Sequence, residues 1–276
     1  MPTEVMLLVL LGALLHAAWN ASIRAAEDKF AQMVALTLGS ALLAAIALPF
    51  LPLPAPASWP YVAASVLAHF IYFVLVARAY EHGELSVSYP LMRGTAPLLT
   101  ALAALVLFGE PLSGTGWFAL LLLSGGVLVL SAERSGRGGM SFALANAGVI
   151  AAYTLIDGTG ARLAGAAWSY TLWMFLFNAI PFVAWVLVVK QKRRHLPAIA
   201  DAWARGLLGG ALALASYGLA IWAMTRAPIP LVAALRETAV IFGLVIGALV
   251  LKERFGPARW VATGLVALGA VVLRLA

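Results

Sequence analysis

Ionisable side chains lie inside long apolar stretches of the chain, among them His16, Arg93, Asp157, Arg236 and Glu237. If these stretches cross a membrane, a charge at such a depth is costly and tends to face a cavity or a partner, so each residue is a functional candidate. Two arginines and two carboxylates can bind a small charged ligand. The balance of charge weakly favours an anion or a zwitterion over a simple cation.

Helical spacing adds polar neighbours to these charges. Three pairs lie four residues apart and therefore share a helix face: His16 with Asn20, Tyr89 with Arg93, and Tyr153 with Asp157. Arg236 and Glu237 are adjacent, so the two cannot point equally at one ligand. Deep aromatic residues complete the predicted binding set: Trp19, Tyr72, Trp173 and Tyr217.

Each candidate also has a purely structural interpretation. Arg93 would then bridge backbone carbonyls at a broken helix, Asp157 would neutralise an arginine, and His16 would be a hydrogen-bonded packing residue. Tryptophan and tyrosine side chains also anchor proteins at the membrane interface. The sequence leaves both interpretations open.

The motifs of common enzymes are missing from the sequence. There is no cysteine, which excludes disulfides and thiolate metal sites. Neither His-Glu-x-x-His nor Gly-x-Ser-x-Gly occurs, and an aspartyl dyad would have to pair Asp157 with Glu237. A Walker-type phosphate loop is also missing. We expect no enzymatic activity, no cofactor and no metal; an intramembrane enzyme and a passive facilitator or channel remain the alternatives.

Composition identifies the elements that must hold these residues. Hydrophobic residues make up 63% of the chain and charged residues 11%, against roughly half and a quarter in soluble domains. A soluble core cannot hide that much apolar surface, whereas a lipid bilayer can surround it. With ~20 residues per span, the 276 residues allow roughly ten membrane helices.

Ten apolar runs follow one another along the chain. Because they are long and continuously apolar, they favour helices over the alternating strands of a barrel. The first run is interpreted as a span, not as a cleaved signal. The runs cover residues 5–23, 30–50, 61–80, 85–108, 116–132, 141–163, 168–189, 203–225, 229–251 and 257–273.

The chain repeats itself. Residues 92–130 resemble residues 235–273 without a gap, and the match places Arg93 on Arg236, Glu110 on Glu253 and Trp117 on Trp260. The repeat predicts two five-helix halves, residues 1–135 and 136–276, with a junction near residues 133–139. Since five is odd, the halves cross the membrane in opposite senses. Inverted repeats of this kind bind substrate near the midplane, between the halves.

Three segments carry a resemblance to a known family. LFGEPL at residues 107–112 and LKERF at residues 251–255 each end the fourth run of a half, and LHAAWN opens the chain at residues 15–20. With the tryptophan and the glycine-containing run that follow each fourth run, they resemble the EamA branch of the drug/metabolite transporter superfamily over essentially the whole chain. The resemblance implies transport, often export, of small metabolites such as amino acids.

These observations predict an all-α integral membrane protein that acts as a secondary transporter, an exporter or exchanger, in the bacterial cytoplasmic membrane. We expect a central vestibule lined by runs one, three, four, six, eight and nine. The expected partners are a small-molecule substrate and the lipid bilayer, with no nucleic acid. A monomer or weak homodimer is expected, because the GxxxG pairs at 206/210 and 243/247 fit either a dimer face or packing within one bundle.

Basic residues predict the orientation. The loops after odd-numbered runs, with their margins, hold thirteen of the 18 Lys and Arg residues, and the opposite side holds only Arg162, Arg226 and Arg274. Cytoplasmic loops carry the excess of Lys and Arg. The net charge of +7 is therefore read as a topology signal, and both termini are predicted to lie outside the cytoplasm.

Overall fold

The computed structural model describes residues 1–82, 85–132, 139–249 and 256–275, and these ranges contain helices and no strands. The predicted all-helical class is confirmed. Two short 3-10 helices, Leu48–Phe50 and Pro56–Ser58, accompany the α-helices. The α-helices are α1 (Thr3–Arg24), α2 (Lys29–Ala47), α3 (Trp59–His82), α4 (Leu85–Phe108), α5 (Gly114–Ala132), α6 (Met140–Ala164), α7 (Ala167–Val188), α8 (Lys190–Arg193), α9 (Leu196–Asp201), α10 (Trp203–Met224), α11 (Ile229–Arg236), α12 (Ala239–Leu249) and α13 (Pro257–Leu273).

Eight stretches of the described chain are long and apolar enough to cross a membrane. They contain α1, α2, α3, α4, α6, α7, α10 and the joined pair of α11 and α12. α5 and α13 hold shorter apolar stretches, Gly114–Leu130 and Pro257–Leu273, which are about 26 Å long at 1.5 Å per residue. The protein is therefore a multi-pass membrane protein, and the total of ten spans stays a prediction.

The ninth predicted run is not one continuous helix. It is interrupted at Glu237 and Thr238, between α11 and α12. The N–H groups of these two residues bond to the carbonyls of Ala234 (3.0 Å) and Leu235 (3.1 Å), three residues back, as in a 3-10 turn. Hydropathy did not reveal the break, because Ile229–Leu249 as a whole is apolar enough to cross a membrane.

The backbone hydrogen bonds of α4 are also incomplete at the corresponding position, but there a proline is the cause. Pro97 lies inside α4 and has no N–H, so the carbonyl of Arg93, four residues earlier, lacks its usual intrahelical donor. Arg93 and Arg236 thus occupy corresponding positions where the hydrogen-bond ladder of each helix is incomplete.

Helix contacts in one half have counterparts in the other. α3 packs along α6, as α1 packs along α10. α4 packs along α6, as α1 packs along α11 and α12, and α5 pairs with α13. If each span is exchanged for its counterpart in the other half, the contact of α3 with α6 becomes that of α10 with α1. In the same way, the contact of α4 with α6 becomes that of α11 and α12 with α1. The central elements α4, α6 and α11 are thereby brought together.

Glycines allow α2 and α10 to approach closely. A Cβ on Gly210 would lie 2.4 Å from the backbone nitrogen of Ser40, and a Cβ on Gly39 would lie 2.6 Å from the carbonyl oxygen of Gly206. The 206/210 pair therefore packs inside one chain, as small residues do between membrane helices. A Cβ on Gly243 would meet no atom within 4 Å.

Candidate functional site

An arginine–glutamate pair joins the two halves of the chain. Arg93 on α4 donates from Nε to Oε2 of Glu237 (3.2 Å), and its Nη2 lies 2.7 Å from Oε1. The two side chains are only 8% and 5% exposed. Two parallel contacts of this kind form the fork that guanidinium and carboxylate groups prefer. Glu237, in the turn between α11 and α12, thus neutralises Arg93 of the other half.

Arg236 is held differently from Arg93. Its guanidinium carbon lies 4.8 Å from the centroid of the Tyr217 ring on α10, a cation–π contact. Arg236 is buried, and no carboxylate of the described residues forms an ion pair with it. Two guanidinium groups and one carboxylate therefore leave one excess positive charge at this site.

The space beside these charges is closed. The cavity measures about 10 Å³, which is room for about one water. Its walls come from α4, α6, α11 and the Glu237 turn: Arg93, Ala96, Pro97, Thr100, Ile150, Tyr153, Thr154, Ala233, Arg236 and Glu237. The predicted vestibule lined by six helices is thus not open here, because the ion pair and the packed walls occupy the centre.

Asp157 lies fully buried on α6 and contacts two tyrosines. The hydroxyl of Tyr170 on α7 donates to Oδ1 (3.0 Å), and the hydroxyl of Tyr217 donates to Oδ2 (2.5 Å). The structural interpretation in which Asp157 neutralises an arginine is therefore not what the structure shows. Tyr217 instead connects the carboxylate to Arg236.

An aromatic layer lies beside Asp157. The His69 ring stacks on Tyr153 at 4.3 Å between centroids, and Tyr72 meets Tyr153 edge-on at 6.0 Å. Nδ1 of His69 lies 2.9 Å from the carbonyl oxygen of Ser65. Sequence reasoning missed both His69 and Tyr170. The available signal for His69 was a histidine inside the third apolar run, four residues after a serine.

A sequence model of the EamA-like transporter family matches residues 3–132 and again residues 137–275. The chain belongs to the EamA-like transporter family. No curated protein matches the sequence. Among the solved structures that share the fold is a crystal structure with a TM-score of 0.73 at 21% identity, over 100% of this chain and 98% of its own. The predicted family, its membrane character and its transporter class are confirmed.

Three candidates of the EamA-like transporter lie together on α1. The His16 ring meets Trp19 edge-on at 4.9 Å, and Asn20 donates from Nδ2 to the carbonyl oxygen of His16 (2.8 Å). α1 packs against α11 and α12, which carry the second arginine and the turn. Tyr89 is half-buried on α4, one turn before Arg93.

Trp173 belongs to a different aromatic cluster of the transporter. Its ring contacts Trp59 at 5.2 Å and Phe177 at 5.3 Å. Trp59 and Phe177 line an apolar groove of about 420 Å³ between α3 and α7. The described structure gives Trp173 no ring contact with Tyr153, Tyr217 or either arginine.

Arg162 ties several helix ends together on one side of the transporter. Its Nη1 lies 2.6 Å from Oε1 of Glu110, and it donates to the carbonyls of Met224 (2.9 Å) and Ala227 (3.1 Å). These contacts connect the ends of α4, α6 and α10. Glu253, the counterpart of Glu110 in the repeat, lies outside the described residues, as do most of the predicted junction and Lys252 and Arg254.

A second peripheral contact involves Asp28 and His195. Asp28 caps α2 by accepting from the Ala31 N–H (2.9 Å), and its Oδ2 lies 2.5 Å from Nδ1 of His195. Partial burial raises the pKa of Asp28, but the hydrogen bonds from Ala31 and His195 outweigh it, so the pKa lies below its ordinary value. The basic segment before α9 is thereby attached to the loop between α1 and α2.

Proposed function

We propose that this EamA-like transporter moves a small metabolite that carries a carboxylate, such as an amino acid or a related anion or zwitterion. Transport is secondary, by export or exchange, across the bacterial cytoplasmic membrane. The observation that carries the proposal is the buried excess of positive charge at Arg93, Arg236 and Glu237.

The geometry of the guanidinium groups supports a carboxylate ligand. A guanidinium offers a planar fork of donors that matches a carboxylate. The face of the Arg236 guanidinium contacts the Tyr217 ring, so the N–H groups at its edge can donate to an incoming anion. Glu237 already holds Arg93 as a substrate carboxylate would, and a substrate can replace it there. Exchange between an internal and an external carboxylate keeps the arginines paired throughout the cycle.

We infer a ten-span architecture with inverted halves at residues 1–135 and 136–276. Two matches of the family model, one in each half, support the repeat. The correspondence between contacts, such as α3 with α6 and α1 with α10, supports the same division. Inverted repeats place their substrate at the contact between halves, and the Arg93–Glu237 pair spans that contact.

The closed centre implies that helix ends separate during transport. Opening the side that carries Arg162 requires its contacts with Glu110 and two backbone carbonyls to break. Opening then exposes the remaining candidates to substrate and water. In this proposal the binding set beside the arginines is His16, Trp19, Asn20, Tyr72, Tyr89, Tyr153, Asp157 and Tyr217, with Trp173 set apart.

A stability screen tests the substrate class. Purified transporter is melted with four families of compound: amino acids, dicarboxylates, quaternary amines and uncharged sugars. A ligand that binds the folded state raises its stability, so compounds that bear a carboxylate are expected to raise the melting temperature. Stabilisation by amines or sugars alone would refute the proposal.

Site variants test the arginines. Labelled compounds from the screen are followed by counterflow in proteoliposomes for Arg93→Ala and Arg236→Ala, with Arg226→Ala as the control. Arg226 is exposed and stacks on Trp222 at 4.6 Å, which makes it a matched cation–π arginine outside the site. Counterflow is expected to be lost in the first two variants and kept in the control. Unchanged counterflow in both site variants contradicts the proposal.

A further inference from the structure

Asp157 forms no ion pair within the part of the chain that the structure describes. It is fully buried on α6, and its described polar contacts are the hydroxyls of Tyr170, Tyr217 and Ser65. A buried carboxylate without a cation is costly in a membrane protein. A proton removes that cost by neutralising the group, whereas these hydroxyls stabilise the ionised form. The site is thus built to hold either state.

Groups that titrate surround this carboxylate from several elements. α3 contributes His69, whose ring also stacks on Tyr153, and α7 and α10 contribute the two hydrogen-bonded tyrosines. The guanidinium of Arg236 on α11 lies 4.8 Å from the ring of Tyr217, one of these tyrosines. The titratable and charged groups that face Asp157 or the tyrosines around it are Tyr61, His69, Arg93, Tyr153, Tyr170, Tyr217, Arg236 and Glu237.

Tyr217 links Asp157 to the substrate site. Its hydroxyl donates to Oδ2 of Asp157, while the face of its ring carries the guanidinium of Arg236. One side chain therefore contacts both the buried carboxylate and the arginine proposed to bind substrate. A movement of Arg236 towards a ligand changes the position of the ring and hence the hydrogen bond to Asp157.

We propose that Asp157 is a proton-binding site and that Tyr217 couples its protonation to substrate binding at the arginines. This inference rests on the proposed function of Arg93 and Arg236. The proton comes from water on the side that is open, adds to an Oδ atom of Asp157 and leaves to water on the other side. Tyr217 keeps its own proton throughout.

The sign of the coupling follows from charge. Asp157 and a substrate carboxylate are like charges near the same arginine, so neutralising Asp157 favours anion binding. By reciprocity, the bound anion favours protonation of Asp157 to the same degree. Proton and substrate therefore bind together and cross in the same direction. The net direction of transport is set by the sum of the two gradients.

Infrared difference spectroscopy between acidic and alkaline buffer tests the proton site without any substrate. The wild-type transporter should show a protonated-carboxyl band that disappears in Asp157→Asn and persists in Glu237→Gln, which removes the other buried carboxylate. Tyr217→Phe, which keeps the ring but loses the hydroxyl, should shift the midpoint of the band. A band that is identical in wild type and Asp157→Asn overturns the proposal.

Transport then tests the coupling. Proteoliposomes receive a labelled mixture of L-amino acids. For each variant, the rate of uptake driven by a proton gradient is divided by the rate of counterflow. The ratio is expected to fall about tenfold in Asp157→Asn and Tyr217→Phe, within the usual range of coupling between sites. A ratio equal to that of wild type overturns the coupling although transport itself stands. If wild type moves no carboxylate at all, the proposed function fails, and the infrared result still decides the proton site.

Discussion

At the scale of single residues, the Arg93–Glu237 pair dominates the energetics of the site. Removing one partner of a buried pair leaves an uncompensated charge, which costs about 3–5 kcal/mol. Arg93→Met and Glu237→Met are each expected to lower the free energy of unfolding by this amount. The double variant is expected to lose much less than the sum, because neither charge then remains.

A double-mutant cycle on unfolding free energies measures the coupling. Hydrogen bonds between membrane helices average only about 0.6 kcal/mol, so a coupling well above that value identifies an ion pair. Additive losses in the double variant would mean that Arg93 and Glu237 do not depend on one another.

The Asp28–His195 contact gives a pH-dependent prediction. The pKa of Asp28 is lowered in the folded protein, so its contribution is complete above the unfolded value of about 3.9 and fades as the pH falls through the folded pKa. Asp28→Asn keeps a good helix cap and removes the charge. It is expected to cost at most about 1 kcal/mol at neutral pH.

Melting curves across pH, with exposed Asp201→Asn as the control, test this dependence. The difference between wild type and Asp28→Asn should persist from neutral pH down to the ordinary range of aspartate and then close. A difference that grows as the pH falls would contradict the sign.

Local sequence signals identified the charged residues of the site, but they did not predict the contacts between residues that are distant in sequence. Arg93 and Arg236 stand out because an arginine inside an apolar run is visible without its neighbours. The partner of Arg93 lies 144 residues away, and no spacing rule connects the two. Tyr170 was missed for the same reason, since its contact with Asp157 depends on how α6 and α7 pack.

At the scale of elements, the contact between α2 and α10 depends on bare backbone. A Cβ at Gly210 would come within 2.4 Å of a backbone nitrogen of α2, and overpacking of this kind costs about 1–3 kcal/mol. Gly210→Ala is therefore expected to destabilise the bundle. Gly243→Ala has open space and better helix propensity, so it is expected to be neutral or to stabilise by up to about 1 kcal/mol.

Unfolding of the two glycine variants in parallel distinguishes packing from propensity. Equal effects at the two positions would show that α2 and α10 are not in backbone contact. Stabilisation by Gly210→Ala would contradict the close approach itself.

Element boundaries show where sequence patterns stop being informative. Hydropathy placed the long helices, because each must match the thickness of the bilayer. It treated α11 and α12 as one run, because Arg236, Glu237 and Thr238 are too few to lower the hydropathy of the whole stretch Ile229–Leu249. It also gave no separate account of the short helices α8 and α9, whose lengths of four and six residues are below what periodicity can detect.

At the scale of the whole molecule, the charge distribution predicts orientation. Loops after odd-numbered spans hold thirteen of the 18 Lys and Arg residues. Arg134, Arg137, Lys252 and Arg254 of this set lie outside the described residues, and the basic segment around His195 lies on the same side as Asp28. Positive residues in short loops stay in the cytoplasm. With ten spans, both termini should therefore lie outside it.

Reporter fusions after Ala276 test this orientation. A periplasmic phosphatase is expected to be active there and a cytoplasmic fluorescent protein dark, and the pattern should reverse for fusions within residues 190–195. Removing positive charge provides the control. Replacing Lys192, Arg193 and Arg194 by glutamine weakens the excess of Lys and Arg on the predicted cytoplasmic side, because the rule counts these residues near the ends of spans and not the net charge. A fluorescent C-terminal fusion with an inactive phosphatase would mean that the odd-numbered loops face outward and that the charge argument is wrong for this transporter.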